Sequence, residues 1–381
     1  MDRWDDIVTD RTIKLSDVQN FLYGIRDIRL FNNRFHVAAT SGSTGGRGVF
    51  IYNSREWLWV LASYIRAADF AGIKTGITNA VKIAIVSTTT PWHQSALVGA
   101  SLRSRFAQTL RIDAAEPLKE IVRKLNAFNP LLLIGYPSVL KMLAEEKLSG
   151  ALDISPEYIF SAAEVLLPDT RRVIKNAWGV QAFDVYGSTE TGGIASECAW
   201  HGLHLYEDLV ITEVVDENHR PVVPGKYGAK LLVTVLWSRL LPLIRYELDD
   251  RVMASGMACP CGRPFALIDG IEGRLEEVIE LRGENSAPVK VHPNFFHNIL
   301  EAYKTRGWQV VKERGDKLRI SILRNGGGAD PDKITKAIKA GLDRQKVRGT
   351  AIEVTFVDSL DHAPTGKIIL IKSLKQPDLF L

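Results

Sequence analysis

Apolar residues recur with two alternating periods through the first half of the chain. In residues 56–71 they recur at helical spacing, which predicts an amphipathic helix, whereas Lys82–Ser87 is a short apolar run typical of a buried strand. The alternation continues, and further strands are predicted at Ala107–Ile112, Leu131–Ile134, Tyr158–Ser161 and Ala182–Tyr186. Helices are predicted between them at Ser95–Arg105, Pro117–Phe128, Pro137–Leu148 and Pro168–Trp178. Strands and helices that alternate at these lengths predict parallel βαβ units.

The pattern changes after about Leu203. Leu205–Val215 and Gly228–Leu236 have strand-like patterns separated by a turn rich in Pro and Gly, which predicts antiparallel sheet. Beyond 270–274 a compact run follows, with strands at 277–281, 308–313, 317–324 and 352–357 and helices at 293–303 and 332–346. We predict an α/β fold in which residues 1–272 form a large N-terminal domain of βαβ layers plus antiparallel sheet. Residues 273–381 are predicted to form a small, mobile α+β C-terminal domain.

Composition narrows the classes of protein to consider. The 381 residues are 46% hydrophobic and 24% charged, and their net charge of +4 is dispersed, so no nucleic-acid-binding arm is indicated. Apolar runs stay short of the ~20 residues that span a bilayer. The polar, acidic start does not resemble a signal peptide, and three cysteines do not make a disulfide framework. We expect a cytoplasmic protein that binds neither a membrane nor nucleic acid.

A loop of small residues begins at Thr40. Positions 40–48 hold four hydroxyl side chains and four glycines, so backbone N–H groups and hydroxyls can approach an anion closely. No Gly-Lys-Ser/Thr ends the loop, which sets it apart from the common P-loop. Taken alone, the loop fits a phosphate cradle and an ordinary turn equally well.

Four further motifs follow the loop in a fixed order. They are Asp184–Glu190, Arg245–Asp250, Gly273–Glu277 and Ala363–Lys367. With the loop, they resemble the core motifs of the adenylate-forming superfamily of acyl-CoA synthetases, luciferases and carrier-loading adenylation domains. Ser161–Glu164 and Cys259–Arg263 are most similar to the phenylacetate–CoA ligase branch, which includes enzymes that adenylylate a deazaflavin coenzyme.

The resemblance implies a site for ATP and Mg²⁺. The β- and γ-phosphates would be held by the loop residues Thr40, Ser41, Gly42, Ser43, Thr44 and Gly45. Glu190 matches the glutamate that binds Mg²⁺, a cation that prefers carboxylate oxygens. The family usually continues the loop with Lys-Pro-Lys, whereas this chain has Gly46-Arg47-Gly48.

Other residues would surround the adenosine and the reacting atoms. Asp250 matches the aspartate that accepts both ribose hydroxyls, with Asp249 as the competing choice. The adenine and the nascent acyl phosphate would lie against Tyr186, Gly187, Ser188, Thr189, Ala162, Ala163 and Glu164.

The resemblance also assigns three roles near and beyond the domain boundary. Arg274 is similar to an arginine that contacts ribose or phosphate, and Glu276 falls where the family has its hinge acid. Lys367 matches the lysine that bridges the carboxylate and the α-phosphate, where an ammonium group stabilises developing charge.

The acyl substrate is expected near two strand ends. Trp92 and His93 follow one strand, and Tyr136 follows another, at the edge where parallel sheets bind ligands. Tyr136 could stack on an aryl acid. The alternative is that all three residues belong to the core or to helix caps.

The three cysteines fall in two places along the chain, Cys198 close to two histidines and Cys259 close to Cys261. Structural Zn²⁺ commonly takes thiolates and an imidazole in tetrahedral geometry. The resemblance to the phenylacetate–CoA ligase branch, whose members carry a similar pattern of cysteines and histidine, favours Cys198, His204, Cys259 and Cys261 as ligands, with His201 in reserve. Three unligated thiols are the alternative interpretation.

The predicted function is ATP-dependent conversion of a carboxylic acid, of aryl type, to acyl-AMP with release of pyrophosphate. Transfer to the thiol of coenzyme A or carrier phosphopantetheine would follow. An acyl carrier protein and a second copy of the chain are candidate partners. The alternatives are adenylyl transfer to a hydroxyl, as in the deazaflavin branch, and a catalytically silent nucleotide-binding protein.

Overall fold

The chain folds into two compact units, Met1–Ile271 and Glu272–Leu381. The computed structural model describes all residues except 1–2, 41–47, 74–80, 103–106, 115, 117, 273–278, 285–287, 292, 301–302, 304–306, 325–329, 362–370 and 374–381. Within the described residues, no helix combines the length and the apolar character needed to cross a bilayer.

Alternating strands and helices build the first unit. Its helices are α1 (Trp4–Ile7), α2 (Leu15–Gly24), α3 (Ser54–Phe70), α4 (Gln94–Ser101), α5 (Leu118–Phe128), α6 (Pro137–Leu148) and α7 (Pro168–Trp178). The first seven strands are β1 (His36–Ala39), β2 (Val49–Tyr52), β3 (Val81–Ser87), β4 (Ala107–Asp113), β5 (Leu132–Gly135), β6 (Tyr158–Ala162) and β7 (Phe183–Ser188). The next seven are β8 (Gly192–Glu197), β9 (Leu203–Leu205), β10 (Val210–Val215), β11 (Lys230–Val235), β12 (Tyr246–Leu248), β13 (Arg251–Ala254) and β14 (Leu267–Glu272).

A nine-stranded sheet organises this unit, in the order β13-β14-β9-β8-β7-β6-β5-β3-β4. Strands β3 to β7 pair in parallel, as the βαβ pattern predicts. The pairing becomes antiparallel from β7 to β8 and from β8 to β9. Strand β7 therefore marks the change from parallel to antiparallel sheet. Strands β10, β11 and β12 form a separate three-stranded antiparallel sheet.

Helix α3 begins with a capping box. The Asn53 side chain accepts a hydrogen bond from the Glu56 N–H, and the Glu56 carboxylate accepts one from the Asn53 N–H, each at 3.0 Å. The second carboxylate oxygen of Glu56 accepts from the N–H groups of Arg239 and Leu240 at 2.6 and 2.7 Å. This buried carboxylate therefore joins the start of α3 to a loop far along the chain.

The second unit is a smaller α+β arrangement. It contains β15 (Ile279–Arg282), β16 (Pro288–Val291), α8 (Pro293–Leu300), β17 (Trp308–Glu313), β18 (Lys317–Leu323), α9 (Pro331–Arg344), β19 (Ala351–Val357) and β20 (Ile371–Ser373). Four strands form one sheet in the order β19-β18-β17-β20, and β15 pairs with β16 in a hairpin. Apolar residues of α9 such as Ile334 and Ile338 are fully buried in its core.

The predicted α/β class is confirmed, with two local corrections. The single strand predicted at Leu205–Val215 is wrong because the chain turns between β9 and β10, where the Val210 N–H donates to the Tyr206 carbonyl at 2.9 Å. The Tyr206 ring is buried at this turn, and its hydroxyl donates to Ser196. The helix predicted at Ser95–Arg105 ends at Ser101.

Candidate active site

A β-hairpin carries the small-residue loop. Strands β1 and β2 pair antiparallel, and Thr40 and Gly48 close the loop between them. The Thr40 N–H donates to the Gly48 carbonyl at 2.9 Å, and the Gly48 N–H donates to Thr40 Oγ1 at 2.8 Å. The predicted phosphate-binding residues Ser41, Gly42, Ser43, Thr44 and Gly45 lie outside the described residues, as do Arg274, Glu276 and Lys367.

The turn after β7 carries Glu190. It lies at the carboxyl end of the parallel strands, where the sheet changes direction, which is a common place for ligands in α/β sheets. The Glu190 side chain is 6% exposed. A carboxylate here is the type of group that Mg²⁺ prefers. Beside it, the Ser188 and Thr191 hydroxyls lie 3.1 Å apart.

Two glycines bring this turn against helix α3. A Cβ on Gly187 would lie 2.6 Å from the Gly192 carbonyl oxygen and 3.1 Å from the Tyr64 hydroxyl. Gly192 has a φ of +74°, in the left-handed region, and its Cβ would meet Ser63 Oγ at 3.0 Å. Neither position has room for a side chain.

Two buried polar side chains donate to the Thr189 carbonyl. The Tyr52 hydroxyl donates to it at 2.5 Å, and the amide nitrogen of Gln94 donates to it at 3.1 Å. Gln94 Oε1 accepts from the Tyr64 hydroxyl at 2.7 Å. The sequence analysis missed these residues because no motif or periodicity marks a polar side chain that is buried for a hydrogen bond.

Tyr186 and Asp250 meet directly. The Tyr186 hydroxyl donates to Asp250 Oδ2 at 2.6 Å, joining strand β7 to the residue between β12 and β13. The Asp250 side chain is 7% exposed, whereas the adjacent Asp249 is exposed. The structure therefore brings together two residues that the sequence analysis assigned to the adenosine.

Ala162, Ala163 and Glu164 lie at the end of β6. Ala163 has a φ of +70°, a strained conformation for a residue with a Cβ. The Glu164 carboxylate accepts hydrogen bonds from the N–H and the hydroxyl of Ser138, at 3.1 and 3.2 Å. Since Ser138 is in the first turn of α6, Glu164 caps that helix.

The predicted acyl-substrate residues occupy different environments. Tyr136 is 2% exposed, and its hydroxyl accepts a hydrogen bond from the Thr88 N–H at 3.0 Å. Burial raises the pKa of Tyr136 to about 12. This ring belongs to the core in the structure, which supports the alternative interpretation for Tyr136 over aryl stacking. Trp92 lies beside β1, where its carbonyl accepts from the Ala39 N–H at 2.9 Å, and His93 directly precedes α4.

The four predicted zinc ligands form one cluster. Their ligand atoms all lie within 4.8 Å of one another. Cys198 Sγ is 3.6 Å from Cys259 Sγ, and Cys261 Sγ is 3.2 Å from His204 Nε2. Tetrahedral Zn²⁺ with bonds of about 2.3 Å to sulfur places two thiolates about 3.7 Å apart, so the first spacing fits.

The surroundings of the cluster also fit a metal. His204 Nδ1 lies 3.1 Å from the Phe265 carbonyl, so Nδ1–H donates there and leaves Nε2 to bind an ion. Burial lowers the pKa of His204, which favours the neutral, metal-binding imidazole. A Cβ on Gly202 would lie 2.9 Å from Cys259 Sγ, so only glycine leaves this space open.

His201, the reserve ligand, lies in a different network. Its ring stacks on Phe183 with centroids 4.8 Å apart, and its Nδ1 is 2.8 Å from a Glu197 carboxylate oxygen. Arg171 pairs with the same carboxylate, which also accepts from the Asp184 N–H at 3.2 Å. The geometry thus separates His201 from the four clustered ligands.

Comparisons with known proteins found relatives among the coenzyme A ligases. No model of a known protein family matches the chain. The phenylacetate–coenzyme A ligase of Thermus thermophilus is 29% identical over 266 residues, which cover 67% of this chain and 58% of that protein. The corresponding ligase of Pseudomonas putida is 26% identical over 299 residues, covering 76% and 62%. The chain therefore spans about 60% of the length of these relatives.

A solved structure shares the fold. The 2-hydroxyisobutyryl-CoA ligase in its postadenylation state, in complex with R3-HIB-AMP, superposes with a TM-score of 0.69 at 22% identity. The match covers 87% of this chain and 72% of the ligase. Together, the sequence matches and the shared fold support the predicted similarity of this chain to the phenylacetate–CoA ligase branch of the adenylate-forming superfamily.

Proposed function

We propose that this protein uses ATP to activate a carboxylic acid and then transfers the acyl group to a thiol. The observation that carries the proposal is the contact between Tyr186 and Asp250, which come from motifs 64 residues apart. An ionised carboxylate is an acceptor-only group with about four lone-pair sites, so it can accept from the hydroxyls of a ribose as well as from Tyr186. The relatives named as CoA ligases favour coenzyme A as the thiol, with carrier phosphopantetheine as the second choice.

The reaction proceeds by in-line displacement at the α-phosphorus. A carboxylate oxygen of the substrate forms a bond to that phosphorus while the bond to the pyrophosphate oxygen breaks. Asp250 orients the ribose, and Glu190 would hold Mg²⁺, which neutralises phosphate charge when bound. We assign stabilisation of the developing charge to Lys367 on the basis of its motif. The thiol then attacks the acyl carbon and AMP leaves.

Pyrophosphate exchange tests the first half-reaction. Labelled pyrophosphate should enter ATP only when a suitable acid is present, and a panel of aryl and alkyl acids defines the substrate class. Lys367→Ala should abolish exchange while ATP still binds. Tight ATP binding without exchange for any acid would instead support a silent nucleotide-binding protein. Exchange without product from coenzyme A would point to a carrier thiol or a hydroxyl as the acceptor.

Adjacent aspartates provide a matched pair of variants. Asp250→Asn removes a charged acceptor, and a hydrogen bond to a charged group is worth about 1.5–3 kcal/mol, so the KM for ATP should rise roughly 10- to 100-fold. Asp249→Asn changes an exposed neighbour and should leave the KM within about twofold. Equal effects of the two variants would contradict the assignment of Asp250 to the ribose.

We also propose that the cluster of Cys198, His204, Cys259 and Cys261 binds one structural Zn²⁺. Such an ion would tie the end of β8 and strand β9 to the segment between β13 and β14. Metal analysis of the purified protein should give about one zinc per chain. His204→Gln should lose the metal and lower the Tm, whereas His201→Gln, at a histidine outside the cluster, should retain it. Protein that lacks zinc after purification with added Zn²⁺ would refute this site.

A further inference from the structure

We propose that Gln94 is a positioning residue that fixes the Glu190 turn for metal binding, an inference that rests on the proposed function. Gln94 is the first residue of α4, and its side chain is 5% exposed. Its amide nitrogen donates to the Thr189 carbonyl at 3.1 Å, and its Oε1 accepts from the Tyr64 hydroxyl at 2.7 Å.

The orientation of the Gln94 amide follows from its partners. A carbonyl can only accept, so the amide nitrogen must face Thr189. The oxygen then faces Tyr64, whose hydroxyl donates to it. A carboxylate in place of the amide would set a negative oxygen against the Thr189 carbonyl. Among side chains of this length, only glutamine supplies both a donor and an acceptor at these two ends.

Tyr52 completes the arrangement around Thr189. The Tyr52 hydroxyl donates to the same carbonyl at 2.5 Å and lies 3.4 Å from the Glu190 carbonyl. A phenol carries its proton at ordinary pH, so the Tyr52 hydroxyl is able to donate to this carbonyl. Two donors from different elements, β2 and α4, therefore converge on one carbonyl oxygen.

Fixing this carbonyl fixes the residue that follows it. The Thr189 carbonyl and the Glu190 N–H belong to one planar peptide unit, so holding the oxygen sets the direction of the chain at the Glu190 Cα. Because the Thr189 oxygen is held from two sides, this peptide cannot rotate without losing both hydrogen bonds. Metal sites require ligand atoms placed within about 0.5 Å, a demand that a loosely held turn does not meet.

Gln94→Met tests the inference, since methionine has a similar length and forms neither hydrogen bond. Its control is Ser101→Ala on the same helix, which loses the 3.0 Å hydrogen bond from Trp57 Nε1 to Ser101 Oγ. Binding of Mn²⁺, as a substitute for Mg²⁺, is measured by electron paramagnetic resonance with a non-hydrolysable ATP analogue present. Exchange of pyrophosphate is followed against Mg²⁺ concentration in parallel.

We expect Gln94→Met to weaken Mn²⁺ binding about tenfold and to raise the half-saturating Mg²⁺ concentration by the same factor. Ser101→Ala should change either value less than twofold. Tyr52→Phe removes one of the two donors and keeps the ring, so it should weaken Mn²⁺ binding by about threefold. This variant replaces Gln94→Met in the test if Gln94→Met does not fold. A loss of Tm without a change in metal affinity would show a purely structural role and overturn the inference. Absence of exchange in the unmodified chain would overturn the proposed function itself, and the inference with it.

Discussion

Replacing Asp184 by Asn should stabilise the first unit at alkaline pH much more than at acidic pH. Asp184 lies in β7, and its N–H donates to Glu197. Burial, followed by the Glu197 charge, raises the pKa of Asp184 to about 7 from 3.8, although the Arg171 charge acts in the opposite direction. His201 Nδ1 lies 2.8 Å from the same Glu197 oxygen that accepts from the Asp184 N–H.

The sign and size follow from proton linkage. A carboxyl whose folded pKa is raised binds its proton more tightly in the folded state, so stability is lost as pH rises from the unfolded pKa to the folded one. At about 1.4 kcal/mol per pH unit, the full loss is about 4 kcal/mol, of which about 3 kcal/mol falls between pH 5 and pH 8. Asparagine has no proton to lose, so the Asp184→Asn variant should avoid this loss.

Urea unfolding followed by tryptophan fluorescence measures this effect. Seven of the eight tryptophans precede residue 272, so the signal reports mainly the first unit. At each pH, the unfolding free energy of the unmodified chain is subtracted from that of the variant. The contributions of the other titrating groups cancel in this difference. Asp153→Asn, at a side chain 93% exposed, controls for the substitution itself. If the difference in unfolding free energy between Asp184→Asn and the unmodified chain stays constant between about pH 5 and pH 8, the raised pKa of Asp184 is refuted.

Three further outcomes are expected elsewhere in the first unit. Gly187→Ala should lower the free energy of unfolding by about 2 kcal/mol or more and abolish pyrophosphate exchange, because its Cβ would lie 2.6 Å from the Gly192 carbonyl oxygen. Thermal melts and the exchange assay measure these two effects. Burial lowers the pKa of His36 to about 4, so the chain should lose stability as pH falls from about 6.5 to 4, and His36→Gln should shift the acid-unfolding midpoint downward. Tyr136→Phe leaves the Thr88 N–H without its acceptor and should lower the unfolding free energy by about 1–3 kcal/mol in urea titrations.

The sequence predicted the regular βαβ region well because local signals define it. Helices α6 and α7 begin at Pro137 and Pro168 and end where the apolar pattern ends, as predicted. The hairpin that carries the small-residue loop was not predicted, because β1 and β2 have only four residues each and no clear alternation. The break between β9 and β10 depends on the buried Tyr206 ring, a tertiary contact with no signature along the chain.

In the candidate site, too, residues marked by a local sequence motif were predicted and residues placed only by tertiary contacts were not. Asp250 was favoured over Asp249 from motif spacing, and the structure buries the first and exposes the second. The cysteine cluster was predicted from ligand chemistry together with the resemblance to the phenylacetate–CoA ligase branch, and the structure brings its four residues together. Gln94 and Tyr52 could not have been found, because only the fold shows that both side chains reach one carbonyl.

The contacts of the buried Glu56 carboxylate affect the order in which the first unit can fold during synthesis. Its acceptor bonds join residues 184 positions apart in the chain. At about 5–20 residues per second, the donors at 239–240 are made roughly 10–40 s after Glu56 itself. During that interval the start of α3 has only its own capping box, and Glu56 remains hydrated. This junction can therefore form only late in the synthesis of the first unit, after residues 239–240 have been made.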